Sequence, residues 1–290
     1  MKYLFLITFL LLTVALSAQS TDYDITTEGH WSVVDNNAPS FQQYSLRAKL
    51  PSKPLNQGKN GILRVQATYS FVKIGFKEHQ ELFNDVQQFH SVGLALGYIK
   101  QLKNPKWNFV GMIMPQLNSN FTDGISGDDF YLNALAYFIY SKQKDTRFSM
   151  GFVYTNTFGF PAPIPVFSYW KAWNDKWEMN FGFPKINLTH HFNERTSLIA
   201  YSELKGYSGN ISKPINNPIF RENRTAQRIG YSDVLAGLEW QWKLKRLQLR
   251  INASYPIYRD FKLRNSNNDV AYKFDMGNNF NIGVGVDFDL

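Results

Sequence analysis

The 290-residue chain contains no cysteine. That one absence excludes disulfide reinforcement, thiolate metal sites, redox pairs and thiol nucleophiles. After the first residues the chain also lacks any apolar run approaching the roughly 20 residues that a membrane-spanning helix needs. A Gly-x-Ser-x-Gly elbow, a His-Glu-x-x-His helix and a Walker glycine loop are missing too, and no segment of useful length repeats with the 3.6-residue period of a helix. The formal net charge is +8, yet Lys and Arg are dispersed without a basic run, so nucleic acid is not an expected partner. What is abundant is aromatic: 24 Phe, 16 Tyr and 7 Trp.

Lys2, the apolar run Tyr3 to Leu16 and the small residues Ser17 and Ala18 have the layout of a cleaved secretory signal. Residues 1–18 are therefore expected to direct export, 19–40 to form a flexible periplasmic segment, and 41–290 to fold as one domain.

That domain reads in steps of two. Phe280, Ile282, Val284, Val286, Phe288 and Leu290 alternate with Asn281, Gly283, Gly285, Asp287 and Asp289. The same period recurs from Val234 to Leu244, from Leu247 to Ile257, from Leu63 to Phe71, from Val92 to Tyr98, and from Phe148 to Tyr154, with a weaker instance from Tyr44 to Leu50. One apolar and one polar face per strand, without helices, predict an all-β fold: a transmembrane up-and-down antiparallel β-barrel of about 12 strands, within 10 to 14. Tight turns at Asn104-Pro105, Lys144-Asp145, Asn174-Asp175, Asn193-Glu194 and Lys245 alternate with long polar loops near 118–129, 208–228 and 259–277, and Pro184 marks a further strand tip. Trp107, Tyr169, Trp170, Trp173, Trp177, Tyr207, Trp240, Trp242, Tyr255 and Tyr258 lie near strand ends, where interfacial girdles are expected.

Parity then assigns a candidate lumen lining: Arg64, Arg147, Glu239, Arg246, Arg250, Asp287 and Asp289. In a narrow barrel these charges would pair and close the interior; in a wider one they would line water and bias ion passage. His190 and His191 are adjacent and point to opposite faces of a strand, so they cannot share a metal. His90 and Ser91 fail as a hydrolytic pair for the same reason. Asp123, Asp128 and Asp129 do not follow an EF-hand register and read as a solvated turn. No catalytic residue, metal or cofactor is expected.

The run Pro161-Ala-Pro-Ile-Pro-Val-Phe-Ser-Tyr-Trp170, the strand Lys176-Trp-Glu-Met-Asn-Phe-Gly-Phe-Pro184, the stretch Leu198 to Tyr207 and the Gly237-Leu238-Glu239-Trp240 strand together resemble a family of Bacteroidota outer-membrane barrels catalogued as a domain of unknown function. The resemblance implies a barrel across nearly the whole mature chain and brings no catalytic or ligand residues with it. The expected function is a passive outer-membrane pore for small solutes, its cargo unspecified. Alternatives are a non-conducting structural or adhesion barrel that binds a partner through its outer loops, and, more remotely, a barrel-embedded lipid hydrolase. Expected partners are outer-membrane lipid and lipopolysaccharide, and the barrel-assembly machinery, which would read the C-terminal strand.

Overall fold

A computed structural model describes residues 24–32, 40–50, 53–55, 61–76, 83–156, 161–217, 219–221, 224–274 and 279–289. The expected signal and Leu290 fall outside them. Fourteen strands close into a ring: β1 (Asp24–Ser32), β2 (Ser40–Lys49), β4 (Ile62–Gly75), β5 (Gln88–Gln101), β6 (Trp107–Ser119), β7 (Phe130–Gln143), β8 (Thr146–Thr155), β9 (Ala162–Trp173), β10 (Trp177–Phe183), β11 (Lys185–His191), β12 (Thr196–Ile215), β13 (Ala226–Leu244), β14 (Leu247–Arg264) and β16 (Asn281–Asp289). Two short strands lie beside it, β3 (Lys53–Pro54) on β4 and β15 (Val270–Phe274) on β14. All neighbours in the ring are antiparallel, and β1 pairs with both β2 and β16. The count stands at the top of the expected range.

The alternation explains the two faces. Val92, Ile113, Met150, Phe152, Phe167, Phe181, Ile251 and Phe280 are half or more exposed and all face outward, an apolar belt that a water-soluble sheet would have to cover. At the short-turn end, Trp173, Trp177, Trp240 and Trp242 continue it as a girdle. Two aromatics assigned to that girdle from sequence belong elsewhere. Trp170 faces the lumen, where the Arg147 guanidinium lies 4.2 Å from its ring, and Tyr207 is an inward residue of β12 packed 6.1 Å from Phe89.

Two further expectations are corrected. Residues 24–32 are not part of a free periplasmic segment but form β1; their outward positions include Thr27 and Gly29, so the apolar alternation that betrays other strands is absent. The polar loops 208–228 and 259–277 are largely strand, because β12, β13 and β14 run on past the belt. Sparse apolar residues there, including Ile211, Ile229, Phe261 and Leu263, turn inward and are almost fully buried. Finally, a bulge in the β13–β14 ladder at Val234/Leu235 shifts the register, so that Arg259 pairs with Asp233 inside while Ile257 and Tyr258 both remain exposed.

Where expected, the tight turns stand. Asn174 and Lys245 adopt left-handed φ of 49° and 47° in theirs, and the Phe183-Pro184 peptide, which is cis, forms the tip between β10 and β11.

Candidate functional site

The lumen divides into two layers. Toward the long-loop end an apolar plug fills the barrel. Phe41 stacks on Tyr231 at 4.6 Å and Phe261 on Phe274 at 4.5 Å, while Phe76 packs tilted against Phe83 at 4.9 Å. Phe83, Phe89, Phe261, Ile229 and Leu263 are at most 1 % exposed. Strand residues supply its wall, while Phe76, Phe83 and Val86, from the β4–β5 connection, and Phe220 fill its centre.

Immediately under the plug lies a buried ion pair. Arg259 Nε donates to Asp233 Oδ1 at 3.0 Å and Nη2 to Oδ2 at 2.8 Å, while the Tyr231 hydroxyl donates to the same carboxylate. Both charged side chains are shut from solvent, at 1 % and 0 % exposure.

Below this layer the lumen opens into a polar cavity of about 700 Å³. One wall is built around Arg250 of β14. Its Nε and Nη2 donate to the two carboxylate oxygens of Asp287 at 2.8 and 3.2 Å. Its Nη1 lies 3.8 Å from Glu28 Oε1 and 4.0 Å from Glu239 Oε2. The guanidinium reaches this far because it lies over Gly285, where a Cβ would stand 2.8 Å from Nη2. Glu28 also bonds His30 Nε2 at 2.5 Å and faces Arg47 at 3.9 Å. Across the cavity, Lys205 and Lys185 share the Glu203 carboxylate at 2.9 and 3.3 Å. Four cations, Arg47, Lys185, Lys205 and Arg250, thus meet four carboxylates, Glu28, Glu203, Glu239 and Asp287. A compensated ring of this kind holds water and polar solutes without a strong preference for one sign of charge.

The cavity continues toward the short-turn end. A second polar space of about 360 Å³ shares Arg47, Lys185, Glu239 and Arg250 with it.

Of the residues assigned to the lumen from sequence, Glu239, Arg250 and Asp287 converge on this network. Arg64, opposite Gly97, and Arg147, over Trp170, face inward as charged residues nearer the short-turn end. Asp289 lies at the end of β16 opposite Asp24, and Arg246 sits in the β13–β14 turn, where its carbonyl accepts the Asp289 N–H; neither joins the network. Sequence reasoning passed over Glu28, His30, Lys185, Glu203 and Lys205. The available signal was polar alternation alone, since β1 and the upper half of β12 have no continuous apolar face.

Among the described residues no group of three or more His, Asp or Glu side chains is arranged to hold a metal ion. Asp129, read from sequence as part of a solvated turn, is instead a buried anchor. It accepts the Ser126 N–H at 2.6 Å and the Asn210 amide at 2.8 Å, which ties the loop to β12.

Residues 20–289 match a domain of unknown function, DUF6268. The chain belongs to the DUF6268 family. No curated protein sequence matches this DUF6268 chain. Solved structures similar to it include the NanC porin (10 % identity, TM-score 0.39, 92 % of this chain and 100 % of that one). Others are the Pseudomonas putida toluene transporter TodX (11 %, 0.37, 95 % and 91 %) and LpxR from Salmonella typhimurium (6 %, 0.37, 92 % and 100 %).

Proposed function

We propose that this DUF6268 barrel resides in the outer membrane of a Gram-negative cell, with its long-loop end outward, and conducts small polar solutes through its lumen. The reading rests on one observation: the polar cavity of about 700 Å³, lined by compensated charges, continues toward the short-turn end of the barrel. A barrel stabilised only as a scaffold gains nothing from a wet, charge-lined interior of this size, since filling it with apolar side chains would be no less stable. Delivery to the membrane by an export signal and insertion through β16 by the assembly machinery belong to the same proposal, as do lipopolysaccharide contacts along the apolar belt.

The plug is the resistance in series with the cavity. Single-channel recording of the purified chain in a planar bilayer tests the reading: small, discrete steps with weak ion preference are expected. A barrel that is folded, as judged by heat-modifiable electrophoretic migration, and silent both as wild type and as Phe83→Ala would replace it with the non-conducting alternative, for which the plug is the favouring observation.

A further inference from the structure

Strands β10 and β11 are only seven residues long, and their tip, Phe183-Pro184, stops well below the tops of their neighbours. Beyond Phe167 of β9 there is no β10 residue to pair with, and beyond Glu203 of β12 no β11 residue. A single backbone bond from Leu204 N to Pro184 O, 3.0 Å, closes the lower corner. Above it β12 stays paired with β13 as far as Asn210, and its other edge meets β6 in a parallel bridge between Asn210 and Ser119.

Unpaired strand edges at membrane depth are costly, because each free backbone group forfeits several kcal/mol without water. Here both edges are treated. The β9 edge carries Pro163 and Pro165, with Pro161 just before the strand; none has an N–H to leave unsatisfied, and β8 still pairs with the other side of β9. On β12 the Asn118 amide donates to Ser208 O at 3.2 Å, and the Ser119 hydroxyl to Asn210 O at 3.2 Å. Between these points Lys205, Gly206 and Tyr207 line the polar cavity itself. The gap is thus bordered by prolines on β9, and on β12 by side-chain bonds to the Ser208 and Asn210 carbonyls and by the polar cavity.

The opening lies in the apolar belt, flanked by Met150, Phe152 and Phe167, each more than half exposed on the outer face. A cavity of about 320 Å³ at the hairpin tip is lined by Leu135, Val153 and Val166 of the lumen face together with Met150, Phe167 and Phe183 of the outer face. Lys185 and Val153 line both this cavity and the polar lumen.

We propose that the wall above the β10–β11 hairpin is a lateral portal, through which small amphiphiles with an apolar body and one anionic or polar group move between the lumen and the hydrocarbon layer. The apolar walls take the body, and Lys185, at the junction with the lumen, takes the head. The inner end of this path uses the same lumen as the conduction reading, but the portal itself does not require the plug to open.

The absence of cysteine permits a direct test. Single-cysteine variants carrying a bimane label are placed in nanodiscs of phosphatidylcholine with brominated or ordinary acyl chains, folding being checked by electrophoretic migration. Phe152→Cys on the outer face is the quenched reference, and Ser45→Cys, on the lumen face of fully paired β2, the protected one. Val153→Cys, a lumen-face position, is expected to lose fluorescence to brominated chains to an extent comparable with Phe152→Cys, and decanoate should restore part of it without changing the reference. Val153→Cys as protected as Ser45→Cys overturns the portal; quenching that decanoate leaves unchanged overturns the ligand class. A barrel silent in the bilayer yet quenched at Val153→Cys would lose the conduction reading alone, and the reverse result the portal alone.

Discussion

Arg259 and Asp233 face each other across the β13–β14 ladder, joined by three hydrogen bonds and sealed between the apolar plug and the polar lumen. Removing one partner leaves a buried charge that cannot hydrate, which costs about 3–5 kcal/mol. Arg259→Met is therefore expected to lower the urea midpoint for loss of the heat-modifiable folded band markedly. Arg259→Met combined with Asp233→Leu should recover most of that loss, because two apolar side chains leave no uncompensated charge.

On the proposed conduction reading, the plug sets conductance. Phe83 is fully buried among Phe76, Phe274 and Tyr272 and is carried by the β4–β5 connection instead of a strand. Truncating it to alanine removes a large aromatic at a cost of about 3–5 kcal/mol locally. Larger unitary conductance, or more frequent openings, is the expected result in bilayer recordings of Phe83→Ala.

Arg250 is the only cation whose side chain reaches Asp287, Glu28 and Glu239 together among the described residues. Arg250→Gln leaves three carboxylates facing one space, so the reversal potential in a salt gradient should move toward cation preference. Adding Glu28→Gln should return part of that shift. An unchanged reversal potential in Arg250→Gln would mean that permeating ions do not pass this wall.

Acid should loosen the long-loop end first. Burial alone would raise the pKa of Asp129, but hydrogen bonds from Ser126, Ser119 and Asn210 outweigh it and hold the carboxyl below its ordinary 3.8. A depressed folded-state pKa means that the stabilisation is complete above the unfolded value and is lost as pH falls through the folded one. Protease cleavage of the 120–129 connection is expected to rise below about pH 4, and Asp129→Asn should show the elevated cleavage already at neutral pH.

How much of this was legible depends on whether a strand advertises its outer face. β8 and β16 place Phe148, Met150 and Phe152, or Ile282, Val284 and Phe288, on the outer face, and their period of two is plain in the sequence. β1 presents Thr27 and Gly29 at outward positions, so its lumen residues Glu28 and His30 could not be assigned without the pairing to β2 and β16. The upper halves of β12 to β14 are inverted in another sense. Past the belt their apolar residues face inward and their polar residues outward, which reads locally as a loop. Nor does local sequence state that Arg250 and Glu28 share a wall, since that contact exists only once the ring has closed. The prolines at 161, 163 and 165, at the start of β9, were visible as a motif, but their purpose depends on the length of a different hairpin.

The pairing of β1 with β16 joins residues as far apart in the chain as Thr27 and Val286, whose hydroxyl and carbonyl meet across 259 positions. Every other neighbouring pair in the ring is formed by strands close to each other in sequence order, so the sheet can be assembled as a succession of hairpins. The last ladder cannot. Until β16 is present, the first strand has one free edge and the Glu28 carboxylate lacks the wall that carries Arg250. The cylinder therefore depends on a single long-range ladder, and the charge network of the lumen, which joins Glu28 of β1 to Arg250 of β14, exists only where that ladder is closed.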